Sequence, residues 1–420
     1  MKIKAYKSAF ILIARLACGG LALAQDTAAT AGKSDRDYND EKADNLIDLN
    51  LNVNLKHLDL AMEKLDRTLN KSLGKLNMDI HSLVVTGITS AVSSINVDVN
   101  AAIDEEMDQG GNVSERVKNY TKTYALDAND KLRIDNKFGK VVVNTWNKNE
   151  VKVDVEIRAY ADNDNTAQKM IDAINISDDK SGDVVSFSTN YGSRSGGSIW
   201  DLFNNRNDHH KAEVNYTIYM PSKNALDINN RYGSTELPDF EGRVQIDCAY
   251  GSFSAKSLPH ADNQIKMRYG SAEIDGLSSA DVSVGYGSLD IGSVDKLNCE
   301  LRYTGDVRIG RLRSSGNINA HYAGKISIDN LDKNFSSFSY SSSYSGLKIG
   351  IDNSTNANFD ITVRYGDFNY GGAPVEITEK TPSDDSKGWK PTKNFKGHIG
   401  KGNGDKMINI SSSYGGVKFD

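Results

Sequence analysis

The chain has 420 residues, 38% of them hydrophobic, with 36 Gly, 19 Tyr and only 6 Pro. That is length for two or three domains and apolar content for a sizeable core. The net charge of −6 lacks the basic footprint that general nucleic-acid binding needs.

Residues 1–24 read as a secretory signal. Lys2, Lys4 and Lys7 supply the positive region, an apolar run follows, and Ala22-Leu23-Ala24 forms a small-x-small cleavage site before Gln25. Arg15 interrupts the apolar run. The alternative is a lipoprotein signal with Cys18 as the lipidated residue, although Arg15 stands where that motif wants Leu. Both readings export the chain to the periplasm, the outer-membrane surface or the exterior. No later apolar run reaches the length of a membrane span.

Residues 25–44 are polar and aperiodic, a linker. Over 45–110, Leu55, Leu58, Met62, Leu65 and Leu69 alternate steps of three and four, and Leu73, Leu76, Ile80 and Leu83 continue the stripe. This predicts an amphipathic helical segment. It would either cap the following β domain or bind a partner, as a coiled coil does.

A β-rich entry region spans 116–220. Strand signals fall at Leu132 and Ile134, Val141 to Val143, and Val151 to Ile157, with a short helix pattern over Asn165 to Ile176. Phe138-Gly139 anticipates a corner that recurs later. Asp162, Asp164 and Thr166 begin like a calcium loop, but Ala167 stands where Gly is needed and no closing Glu follows. Asp208, His209 and His210 share a polar loop without further His or Cys at ligand spacing, which favours solvation over a metal site. No cofactor motif, phosphate loop or nucleophile elbow is present.

From 221 to 420 the chain repeats itself as apolar-x-apolar-x-Tyr-Gly-x-apolar-x-apolar. Tyr232, Tyr250, Tyr269, Tyr286, Tyr303 and Tyr322 stand 18, 19, 17, 17 and 19 residues apart, with less regular copies at Tyr344, Tyr365 and Tyr414. A period of about 20 residues signals a stacked array. Val282, Val284 and Tyr286 share one parity, and Leu289 and Ile291 take the other, so the inward face flips at the Tyr-Gly step. Gly233, Gly251, Gly270 and Gly287 suit a corner because glycine tolerates positive φ. Tyr303 and Tyr322 are followed by one extra residue, and Val307, Ile309 and Leu312, like Ile326, Ile328 and Leu331, shift by one in concert. The expectation is an all-β fold: a parallel β-solenoid with Tyr-Gly corners, its tyrosines inward and stacked about 4.8 Å apart. An antiparallel meander or sandwich is the alternative. Cys248 and Cys299 fall about three coils apart, beyond the ~7 Å reach of a disulfide, and are expected as buried thiols. Residues 379–406, rich in Lys, Gly, Asp and Ser, read as an insertion, and Ile408 to Phe419 as a final strand covering the open edge.

The segment Leu132 to Val143, Tyr216 to Pro221 with Leu226 to Tyr232, and the closing Ile408 to Phe419 resemble the bacterial putative-adhesin β-strand-repeat families, close to the head GIN domain group. The resemblance covers roughly Lys118 to Asp420 and not the helical segment. It implies a secreted or envelope-associated β-solenoid and supplies no catalytic residues.

The residue before each repeat tyrosine is Arg231, Ala249, Arg268, Gly285, Arg302, His321, Ser343 and Arg364. Arg231, Arg268, Arg302 and Arg364 define a stripe suited to anionic glycan, since guanidinium recognises carboxylate and phosphate. The competing reading is steric spacing of long side chains, with Glu236, Glu273 and Glu300 neutralising them. The outward acids Asp247, Glu273, Asp290 and Glu300 are scattered rather than paired for catalysis. The sequence therefore favours a non-enzymatic envelope or surface protein, an adhesin or interaction scaffold whose partners are glycans or envelope proteins. A glycan-active β-helix enzyme and a periplasmic structural protein that docks through its helix are the alternatives.

Overall fold

The computed structural model describes residues 113–192, 210–383 and 388–420. The leader, the linker and the helical segment over 45–110 lie outside the described residues, as do Asp208 and His209. Among the described residues the protein is all-β, with Asp164–Asp172 as its α-helix. Asn163 caps that helix by accepting from the Thr166 amide at 2.9 Å, so the calcium-like run is a helix start.

All 24 strands join one sheet, which divides into two ladders on either side of the Tyr-Gly steps. In the first ladder, Lys131–Lys137, Ala225–Arg231, Val244–Ala249 and Asn263–Arg268 lie parallel in sequence order. The C-terminal halves of Ser271–Gly285, Ser288–Arg302 and Val307–His321 continue it, followed by Ser337–Ser343. In the second ladder, Val141–Thr145, Thr235–Leu237 and Ser252–Leu258 precede the N-terminal halves of the same three strands, and Lys325–Leu331 and Gly346–Ile351 follow.

Equivalent positions stack on themselves. Ala272, Leu289, Val307, Ile326, Leu347 and Val417 are register partners in turn, as are Ile274, Ile291, Ile309, Ile328, Ile349 and Phe419. All are buried. The shift after Tyr303 and Tyr322 is thus absorbed at the step, and Val307 still faces Leu289. Each such side chain contributes about 1.5–3 kcal/mol on burial, so the columns account for much of the stability.

The aromatic–glycine step departs from the expectation in an instructive way. Positive φ belongs to the aromatic residue: Phe138 and nine tyrosines all lie between 52° and 61°. The following glycines have ordinary φ and are required for a different reason. A Cβ on Gly270 would sit 1.8 Å from the Gly251 carbonyl oxygen, and one on Gly287 1.8 Å from that of Gly270. Gly233 and Gly251 make equally close approaches to the glycine of the neighbouring pass. The left-handed conformation costs about 1–2 kcal/mol per residue. Ring stacking offsets it: consecutive rings from Phe138 through Tyr232, Tyr250, Tyr269, Tyr286, Tyr303, Tyr322, Tyr344 and Tyr414 to Tyr365 lie 4.7–5.2 Å apart, within 10° of parallel. Each interior ring has two such neighbours, at roughly 0.5–1.5 kcal/mol a pair. The tyrosines are half-buried for the most part rather than inward, with Tyr344 buried and Tyr414 exposed.

The first ladder is antiparallel at both ends and the second at its entry end, whereas the far end of the second is the parallel pair Val417–Phe419 and Phe368–Asn369. At the entry end, Ser114–Ala125 pairs with Glu150–Ala161, which pairs with Lys211–Met220. There also Ile174–Ser181 pairs with Val184–Tyr191. At the far end, Ala357–Arg364 pairs with Thr392–Ile399, and that with Val375–Thr381. The predicted insertion is therefore a hairpin that closes the first ladder. The closing segment does not cover the edge: Met407–Ser413 lies between Ser337–Ser343 and Ala357–Arg364, and Val417–Phe419 between Gly346–Ile351 and Phe368–Asn369, each parallel to both neighbours. Tyr414 accordingly stacks between Tyr344 and Tyr365.

Polar residues are admitted to the interior near the ends of the aromatic column. Asn136 and Asn230 are fully buried two residues before Phe138 and Tyr232. Asn136 donates to the Val214 carbonyl at 3.0 Å, and Asn230 to the Ser234 carbonyl at 3.0 Å. Cys248 and Cys299 are buried and unbridged, and burial pushes both thiols up to about 12.

Candidate ligand-binding surface

Register aligns the residues that precede the aromatic column. Lys137, Arg231, Ala249, Arg268, Gly285, Arg302, His321, Ser343, Ser413 and Arg364 are successive partners along the first ladder. The four predicted arginines therefore stand on one column, at unequal intervals, beside the stacked tyrosines. Their environments differ. Arg268 bonds Asp247 on the neighbouring pass at 2.6 Å, and Arg302 bonds Glu300 on its own strand at 2.7 Å. Near Tyr250, burial raises the phenol pKa while Arg268 and Arg231 oppose the shift. Arg364 is exposed, lies 5.3 Å from the Tyr365 ring centre, and has no carboxylate partner among the described residues.

The neutralising acids are not all those expected. Glu300 serves, but Glu236 and Glu273 lie in the second ladder, where Glu236 faces Lys140 at 3.9 Å. Asp247 takes their place, because register sets it one pass from Arg268 and two residues back.

The second ladder's outer face is cross-paired between passes. Arg308 spans Asp290 at 3.1 Å and Asp329 at 2.8 Å. Lys256 meets Asp275 at 2.9 Å, Arg311 meets Asp332 at 3.2 Å, and Arg313 meets Asp295. Of the acids considered for catalysis, Asp247, Asp290 and Glu300 are each bonded to an arginine. His210 lies 3.7 Å from Asp162, and no group of three or more metal-ligating side chains converges among the described residues. None of the helices there is long and apolar enough to cross a membrane.

Two features escaped sequence reasoning. Tyr120 and Tyr124 both donate to the Asp178 carboxylate, tying the outermost strand of one ladder to that of the other. At the opposite end the aromatic column finishes on Tyr365, with exposed rings on both sides of it: Tyr414 is 37% and Trp389 64% exposed. A lone tryptophan inside the Lys- and Gly-rich stretch was the available signal.

No family model matches the chain, and no curated protein matches it. Solved structures similar to it include a putative adhesin from Bacteroides fragilis, 10% identical, TM-score 0.29, covering 72% of this chain and 97% of that one. A putative adhesin from Parabacteroides distasonis is 9% identical, TM-score 0.30, with 72% and 97% covered. A putative cell adhesion protein from Clostridium sporogenes is 10% identical, TM-score 0.18, with 72% and 99% covered.

Proposed function

We propose that the chain winds as a parallel β-solenoid whose corners are the Tyr-Gly steps, and that it works as an exported, non-catalytic interaction scaffold of the cell envelope or surface. The observation that carries this is the continuous column of stacked aromatics from Phe138 to Tyr365, flanked by one register-aligned basic column. Such an arrangement holds side chains at strand spacing on a rigid face, which suits repeated contacts with an extended partner. The signal-like residues 1–24 support export. Adhesion, the property in the names of the similar structures, is the activity to test.

Protease accessibility on intact cells, against cells with permeabilised outer membranes, is the test. Cleavage on intact cells supports a surface role. Protection until permeabilisation would leave a periplasmic scaffold and remove adhesion.

A further inference from the structure

We propose that the far end of the aromatic column is a binding site for a carboxylate-bearing sugar, built from Trp389, Tyr365, Tyr414 and Arg364. This deepens the scaffold reading by naming a ligand class, and it rests on that reading only for its biological setting.

The column ends differently from how it runs. Tyr344, Tyr414 and Tyr365 stack at 4.7 Å, within 10° of parallel. Trp389 comes next, 5.8 Å from Tyr365 and tilted by 38°. The parallel stacking therefore stops at Tyr365. Trp389 is not a loose side chain on a passing loop, because the adjoining Pro391 carbonyl accepts from the Tyr365 amide at 2.7 Å, and Thr392 is the register partner of Arg364.

Exposure singles the site out. The large hydrophobics exposed among the described residues are Val117, Trp389 and Tyr414, and the last two flank Tyr365 here. Exposed aromatic surface of this kind marks interaction sites. Flat rings take the apolar C–H face of a pyranose, while Tyr and Trp keep a polar edge for its hydroxyls.

Charge selects the sugar. Arg268 and Arg302 are already engaged by Asp247 and Glu300, whereas Arg364 keeps its guanidinium over Tyr365 without a carboxylate partner among the described residues. Exposed Lys390 follows Trp389 directly. A guanidinium held on an aromatic face is pre-organised for bidentate pairing with a carboxylate. The neighbouring Lys393 is occupied by Asp367, so Arg364 and Lys390 supply the cationic side.

The test uses the purified full chain with hexagalacturonic acid, and cellohexaose as the neutral comparison, measured by calorimetry and by tryptophan fluorescence. The acidic hexamer should bind saturably and the neutral one at least about tenfold more weakly. Trp389→Ala should abolish binding and Arg364→Gln should weaken it about tenfold, both with unchanged melting temperature. The triple variant Arg231→Ser, Arg268→Ser, Arg302→Ser should bind like the parent. No binding of the acidic hexamer at millimolar concentration, equal binding of both hexamers, undiminished binding by Trp389→Ala, or loss in the triple variant would each overturn the proposal. None of these outcomes depends on where the protein resides, so failure here is separable from failure of the cell-surface test.

Discussion

The middle of the stack and its two ends solve the same problem by opposite means. Between Tyr232 and Tyr322 each pass lies parallel to the next and presents the same residue type at the same place, so neighbours satisfy one another's backbone groups and cover one another's apolar faces. At the ends no further copy exists to do this. At three of the four ladder ends the chain reverses into antiparallel pairs with charged outer strands, Ser114–Ala125 and Ile174–Ser181 at the entry and Val375–Thr381 at the far end of the first ladder, and the fourth stops at the two-residue strand Phe368–Asn369. Such strands blunt an edge that would otherwise recruit more strands. The middle tolerates repetition because repetition is its stabilising principle, and the ends must break it.

The largest effects fall inside the stack. Leu289→Asp, which replaces a residue 2% exposed between Ala272 and Val307, should destabilise by roughly 4 kcal/mol through an unpaired buried charge. Thermal melting would reveal it, and a wild-type transition would contradict the inward assignment. Gly270→Ala comes next, at about 3 kcal/mol, because its Cβ would meet the Gly251 carbonyl oxygen at 1.8 Å. Gly285→Ala is the control, since nothing lies within 4 Å of the Cβ there, and its melting temperature should hardly move.

Between these and the ends sits the aromatic column. Tyr322→Val should cost about 2–3 kcal/mol, as a β-branched residue at positive φ loses both stacking partners. Tyr322→Phe should be close to neutral, because Phe138 already occupies this column with φ 61°. If both variants melt alike, ring stacking does not offset the strained backbone.

The smallest effect belongs to the entry end. Burial alone would raise the Asp178 pKa, but the hydroxyls of Tyr120 and Tyr124, with Lys122, hold it below the ordinary carboxylate range. Lys180 and the Asp127 amide lower that of Asp130. Both groups are depressed on folding, so their contribution is present above the unfolded pKa of about 4 and is lost as pH falls through the folded values. Asp178→Asn should cost about 1–2 kcal/mol. Hydrogen exchange should quicken over 114–125 and 174–181 below about pH 4, ahead of the central passes. Uniform exchange across the molecule would erase the distinction between middle and end.

Legibility followed the same division. Two-residue alternation and the recurring Tyr-Gly pair placed the inward columns, including the one-residue shift after Tyr303, because register in a repeat is written in every copy. The predicted arginine column emerged for the same reason. Its neutralising partners did not: Asp247 reaches Arg268 only because one pass lies on the next, a relation 21 residues apart in sequence. Trp389 showed in the sequence only as a lone tryptophan, because its neighbour Tyr365 is brought to it by an antiparallel return.

What the sequence by itself determined is the repeating unit: which aliphatic side chains face inward, that the aromatics stack, though not that they stay half-buried, and that Cys248 and Cys299 stay apart as buried thiols. Local alternation and period are sufficient for these. Only the tertiary structure decided which member of the Tyr-Gly pair carries positive φ, because glycine's necessity comes from the backbone of the adjacent pass and not from its own dihedral angle. It also decided that Met407–Ser413 enters the stack between Ser337–Ser343 and Ala357–Arg364. Any copy could pair with any other on local pattern alone, and the choice falls to whichever order leaves the ends closed.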